Sequence, residues 1–179
     1  MVSRRILVTG GIRSGKSRYA ESLLADEAAV TYIAPGPRPD PAVDADWARR
    51  IAAHRSRRPT SWATLETDDL PAALRAGHPA VLIDSLGTWL TATIDRMATW
   101  DEPLPTWQGD FDARLAALVA AWRAGEGLAV AVTEEVGWGL VAEHRSGRIF
   151  TDLLGQVNQE VAAVSDQVTL VVAGRALHL

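Results

Sequence analysis

The sequence predicts an α/β domain, a mostly parallel β-sheet flanked by helices on both sides. Apolar runs of about five or six residues, rich in Val, Ile and Leu and without polar alternation, recur along the chain, as strands buried on both faces do. Helix-like stretches separate these runs, and a regular strand–helix alternation is the pattern of parallel strands joined by crossovers. With 179 residues, 47% hydrophobic and 22% charged, the chain is long enough to bury one core, so residues 1–179 are read as a single domain.

Each element follows in order. RILVT at 5–9 is the first strand and leads into a helix over 16–28. VTYIA at 30–34 is the second strand, closed by PGPRPDP at 35–41, whose prolines exclude both a helix and a central strand. A helix over 43–56 precedes SWATLE at 61–66, the weakest strand candidate. A helix over 69–76, the strand AVLID at 80–84 and a helix over 86–98 come next. TWDEPLPTWQG at 99–109 is an irregular connection, with two prolines and two tryptophans. Beyond it lie a helix over 111–124, the strand LAVAV at 128–132, a helix over 147–164 and the strand VTLVVA at 168–173. The closing AGRALHL predicts a turn and a short antiparallel strand.

Composition narrows the function. A formal net charge of −4 argues against general nucleic-acid binding, which needs a surplus of positive charge to follow phosphates. Without cysteine there is no disulfide framework and no thiolate metal site, and the four histidines show no paired ligand spacing. The N-terminal MVSRRILVTGG has too short an apolar run for a signal peptide, and no run approaches bilayer length. The expectation is a soluble cytoplasmic protein with no membrane span.

The strongest motif is GGIRSGKS, which satisfies G-x-x-x-x-G-K-[ST] between a strand and a helix. Gly10, Gly11, Ile12, Arg13, Ser14 and Gly15 would curl the backbone so that amides face a phosphate, the glycines permitting the turn. Lys16 would reach the outer phosphates, and Ser17 would offer a hydroxyl to Mg²⁺. A nucleotide site of this kind calls for a carboxylate at the end of a second strand, and Asp84 occupies that place. Its plain alternative is a helix cap; Glu134 and Glu135, after another strand, are second choices for the carboxylate.

The second feature is RIAAHRSRRP at 50–59, which with Arg49 just before it makes five of the ten residues Arg49 to Arg58 arginine around one histidine, His54. Spacings of four and three place Trp47, Ile51 and His54 on one helical face. A core histidine is the plain reading. The chemical one is a neutral imidazole acting as nucleophile toward phosphorus, kept uncharged by neighbouring arginines that also hold the phosphates of a nucleotide.

Taken together, ILVTGGIRSGKSRYAE, RIAAHRSRRP followed by WATLE, VLIDSLGTWLT, TEEVGWGLV and GRIFTDLLGQVNQEVAAVSDQVTLVVAG resemble the bifunctional adenosylcobinamide kinase / adenosylcobinamide-phosphate guanylyltransferase family of cobalamin biosynthesis, in order from residue 5 to about residue 174. The resemblance implies a single-domain P-loop NTPase with a RecA-like sheet, assembled as a homotrimer. It implies phosphorylation of the aminopropanol hydroxyl of adenosylcobinamide by a nucleoside triphosphate, ATP or GTP. GTP then guanylylates a histidine, and GMP passes to the new phosphate to give adenosylcobinamide-GDP. On these positions His54 would be the guanylylated residue. Gly10 to Ser17, Ala34, Pro35, Gly36, Arg55, Ser56, Arg57, Arg58, Glu66 and Asp84 would bind nucleotide, with Ser17 and Asp84 toward Mg²⁺. The chain departs from the family pattern in LTATI at 90–94, in TEE at 133–135 and in its LHL ending. Two other readings stand beside this one: a small-molecule kinase without nucleotidyl transfer, and a RecA-like ATPase or assembly module.

Overall fold

The computed structural model describes residues 3–36, 42 and 44–179, without the side chains of Trp47 and Arg50. The prolines at 37, 39 and 41 therefore lie outside the described residues. The strands are β1 (Arg4–Thr9), β2 (Thr31–Ala34), β3 (Ala63–Glu66), β4 (Ala80–Asp84), β5 (Leu128–Val132), β6 (Gln167–Val172) and β7 (Arg175–His178). The helices are α1 (Lys16–Ser22), α2 (Ala45–Arg57), α3 (Leu70–Arg75), α4 (Leu86–Met97), α5 (Gln108–Ala124) and α6 (Arg145–Ala162). One sheet runs β3-β2-β4-β5-β1-β6-β7. Its pairs are parallel except the last, in which Thr169 faces His178.

Two boundaries differ from the sequence reading by more than two residues. Helix α1 ends at Ser22, not at 28. Beyond it the chain tightens into i→i+3 turns, with Leu24 N donating to Glu21 O and Ala25 N to Ser22 O. The Ser22 hydroxyl caps a carbonyl of the last turn, donating to Tyr19 O at 2.7 Å. The irregular connection is shorter than expected, because a 3₁₀ turn at Leu104–Thr106 leads directly into α5 at Gln108.

Strand residues alternate between two cores. Val81 and Ile83 face one side of the sheet with Leu90, Phe111, Trp122 and Val157, while Ala80 and Leu82 face the other with Ala20, Leu24 and Trp62. The helical cover is thus uneven: α3, α4, α5 and α6 pack on the first face and α1 on the second. Each fully buried Leu or Phe contributes about 1.5–3 kcal/mol of transfer free energy. None of the described side chains of α2 belongs to either core. That helix lies beyond the carboxyl ends of the strands, where open parallel sheets bind ligands. Among the described residues, no helix is long and apolar enough to cross a membrane.

Candidate active site

Where β1 ends, the chain folds into a tight loop. Ser14 N donates to Gly11 O at 3.2 Å, and Lys16 Nζ donates to the same carbonyl at 3.3 Å. Gly15 caps α1 with φ 96°, a conformation that a side chain would strain. A Cβ on Gly10 would lie 2.5 Å from Val171 O, so only glycine fits there. The turn between β6 and β7 supports the loop from behind: Gly174 N donates to Ser14 O at 2.7 Å. Ser14 Oγ is buried without a partner among the described residues. An orphan hydroxyl inside an amide-lined loop suits a phosphate oxygen.

Lys16 is buried, with Nζ 3.8 Å from Glu134 Oε1, and Glu134 Oε2 accepts from Ser85 Oγ at 3.1 Å. Burial pushes the Glu134 carboxyl above the usual carboxylate range, and the Lys16 charge only partly offsets that. Glu134 sits at the end of β5, the strand between those carrying the loop and Asp84.

Asp84 divides its two oxygens. Oδ1 accepts from Ser17 Oγ at 3.5 Å. Oδ2 accepts from Tyr32 OH at 3.1 Å and lies 3.4 Å from His54 Nδ1. Asp84 does not cap α4, since Ser85 takes that place: Thr88 N donates to Ser85 Oγ at 3.3 Å, and Ser85 N to Thr88 Oγ1 at 3.0 Å. The plain alternative for Asp84 is thereby removed, and its carboxylate is free for the site. Among the described residues no cluster of three or more His, Cys, Asp or Glu forms a metal cage. The all-oxygen pair Ser17 and Asp84 fits Mg²⁺, which takes few protein ligands and completes its shell with phosphates and water.

Helix α2 brings His54 to this carboxylate. Of the arginine side chains that follow it, Arg55 pairs with Glu66, Arg57 with Glu21 at 3.2 Å, and Arg58 stacks on Tyr32 with Cζ 3.6 Å from the ring centre. Arg58 Nε also donates to His54 O at 3.3 Å. Arg55 and Arg58 nevertheless line the same cavity as His54. Successive residues on a helix project in different directions, and the charge beside the ring is the negative Asp84.

Two cavities meet here. One runs along the loop past Arg13, Ser14, Lys16 and Ser17 to Glu134. The other is bounded by Ala34, Gly36, Arg55, Arg58 and Glu66. They share Tyr32, Ile51, His54, Asp84 and Thr88. Ile12 and Arg57 line the first cavity. Gly10, Gly11, Pro35 and Ser56 line neither. Pro35 is buried, and the exposed Ser56 spends its hydroxyl on Ala53 O within the helix at 3.1 Å. Of the predicted helical face, Ile51 and His54 do face the cleft. Sequence reasoning missed Tyr32 and Thr88; the only signal for Tyr32 was a hydroxyl-bearing aromatic in a buried strand.

Comparison with known proteins gives the fold and the family. A solved ATPase from the type III secretion system of pathogenic bacteria matches the fold with a TM-score of 0.61 at 14% identity, covering 94% of this chain. This chain spans about half, 52%, of that one, and the likeness places the sheet among RecA-like ATPase folds. The bifunctional adenosylcobalamin biosynthesis proteins CobU of Salmonella typhimurium and of Escherichia coli are each 38% identical over 177 residues, 94% of this chain and 96% of theirs. CobP of Pseudomonas aeruginosa, of the same description, is 38% identical over 182 residues, 98% of this chain and 96% of its own. The family model for cobinamide kinase / cobinamide phosphate guanyltransferase matches residues 6–179. With the family model covering residues 6–179 and these bifunctional relatives 38% identical over nearly the whole chain, the chain belongs to the cobinamide kinase / cobinamide phosphate guanyltransferase family.

Proposed function

We propose that the chain phosphorylates the aminopropanol hydroxyl of adenosylcobinamide and then passes GMP from GTP to that phosphate through a guanylyl-His54 intermediate. The observation that supports this most is the shared wall of the two cavities, where His54 and the cradle-facing Asp84 stand 3.4 Å apart. In the kinase step, Lys16 and the loop amides hold the triphosphate of ATP or GTP while the acceptor oxygen bonds to the γ-phosphorus. The bond from that phosphorus to the bridging oxygen breaks, the nucleoside diphosphate leaves with the electron pair, and the hydroxyl proton passes to solvent. Mg²⁺, held through Ser17 and Asp84, neutralises phosphate charge when bound. In the second reaction an imidazole nitrogen of His54 bonds to the α-phosphorus of GTP and pyrophosphate departs. An oxygen of adenosylcobinamide phosphate then attacks the same phosphorus and the P–N bond breaks. Arg55, Arg58 and Glu66, with Ala34 and Gly36, form the nucleotide cavity on the histidine side. Arg57, paired with Glu21, lines the cradle side. Residues 1–179 work as one domain in a cytoplasmic homotrimer.

Incubation with GTP labelled at the α-phosphate tests this. The protein should retain label through denaturation, and the label should be released by acid and resist alkali, as a phosphorus–nitrogen bond to imidazole does. An unlabelled protein that still phosphorylates cobinamide would reduce the chain to a simple kinase.

A further inference from the structure

We propose that Tyr32 is a positioning residue for guanylyl transfer: its hydroxyl fixes Asp84 Oδ2 so that this oxygen holds Nδ1 of His54 and leaves Nε2 as the nucleophile. The proposal rests on the reading of His54 as the guanylylated residue.

Tyr32 is only 4% exposed and packs in the same apolar cluster as Ile6, Val8 and Leu82, so packing alone would be served by phenylalanine. Its hydroxyl is instead directed out of the core at a carboxylate on the cavity wall, 3.1 Å from Asp84 Oδ2. A phenol has one proton, and here it is spent on Oδ2. That oxygen then presents its remaining lone pair to His54 Nδ1 at 3.4 Å. An imidazole that donates from Nδ1 carries its lone pair on Nε2. Oδ1 meanwhile faces Ser17, so the carboxylate is partitioned between the two reactions, and the Tyr32 hydroxyl prevents it from rotating.

The same ring acts a second time. Arg58 lies over its face and donates to the carbonyl of His54, so Tyr32 braces the histidine through its side chain and through its backbone. During transfer, Nε2 bonds to the α-phosphorus, and the bond to the bridging oxygen breaks, its electron pair leaving with pyrophosphate. Nδ1 keeps its proton, and the positive charge on the ring is balanced by Asp84. When the acceptor phosphate attacks, the P–N electrons return to Nε2 and the ring is neutral again.

The test is Tyr32→Phe in the full chain, with 3-fluorotyrosine at position 32 as the conservative rescue that keeps the hydroxyl. Adduct formation from α-labelled GTP should slow by about tenfold, the effect of one hydrogen bond to a charged group, with KM for GTP changed much less. The kinase step, served by the other oxygen, should fall by less, and the fluorotyrosine protein should regain transfer. Imidazole ¹⁵N spectra of the nucleotide- and metal-free protein should show His54 with its proton on Nδ1, and a mixture of tautomers in Tyr32→Phe. The adduct on the unmutated protein should be the Nε2 isomer. Equal losses in both steps, failed rescue, an unchanged tautomer or an Nδ1 adduct would each overturn the assignment. Absence of label on the unmutated protein overturns the guanylyl-histidine reading itself. Label on the unmutated protein with no effect of Tyr32→Phe overturns only the role of Tyr32.

Discussion

The phosphate loop and helix α2 meet at Asp84, yet they are held in different ways. Backbone bonds close the loop, from Ser14 N to Gly11 O and from Gly174 N to Ser14 O, and both of its flanks enter the core through Val8 and Ala20. Helix α2 is fastened by side chains: His54 to Asp84, Arg55 to Glu66, Arg57 to Glu21, Arg58 to Tyr32. Exposed ion pairs are worth about 0–1 kcal/mol each, whereas a buried Leu or Ile contributes several times that. The loop is therefore a fixed cradle. The histidine is carried on an electrostatic mount, whose carboxylates are of the sign that a triphosphate also brings.

The contrast is broken most strongly from the cradle side. Lys16→Ala removes the charge facing the outer phosphates, and initial rates of both phosphorylation and labelling should drop by about 10²–10³. If either rate stays near normal in a folded variant, the loop does not serve both reactions. His54→Asn should be next, and selective: asparagine can hydrogen-bond but forms no phosphoramidate, so label incorporation vanishes while phosphorylation continues. Persistent acid-labile label in this variant would move the nucleophile elsewhere. His144 is the first histidine to try, although it is exposed and lines neither cavity.

Glu134→Gln sharpens the comparison through stability. Because the folded protein raises this carboxyl, ionised Glu134 opposes folding: its stabilising contribution is present in acid and is lost as pH rises through the raised value. The variant should melt higher than the unmutated protein at pH 8, and the gap should close on acidification toward the ordinary carboxylate range. A stabilisation of about 1 kcal/mol would be read as about 2–4 °C in a thermal scan. A gap that widens in acid would mean that the Lys16 contact outweighs burial. Smallest is Arg57→Ala, which leaves Glu21 without its partner and should cost less than about 1 kcal/mol. In hydrogen exchange, that variant and high salt should both loosen residues 45–57 while leaving 16–22 protected. Equal loosening of the two segments would erase the distinction drawn here.

The same difference explains what could be read in the sequence. The cradle is contiguous, eight residues whose backbone does the work, so GGIRSGKS displays it whole. Val81 to Ile83 announce β4 and place Asp84 at its end, and the spacing of Ile51 and His54 gives the cleft-facing side of α2. The rest arises between residues far apart in the chain. Tyr32 meets Asp84 across 52 positions, and Ser85 meets Glu134 across 49. No local pattern marks such pairs. Nor does the arginine count along the chain tell what each guanidinium meets, since Glu66, Glu21 and Tyr32 all lie on other elements.

The bond from Gly174 to Ser14 has a consequence for how the enzyme is born. Strand β7 and its turn are synthesised long after the loop they support. A nascent chain can collapse around β1 and α1 early, but its nucleotide cradle stays unbuttressed until that turn has emerged and Gly174 has reached Ser14. A nucleotide then stabilises only chains in which the turn is in place, because a ligand shifts folding only toward a state that can bind it.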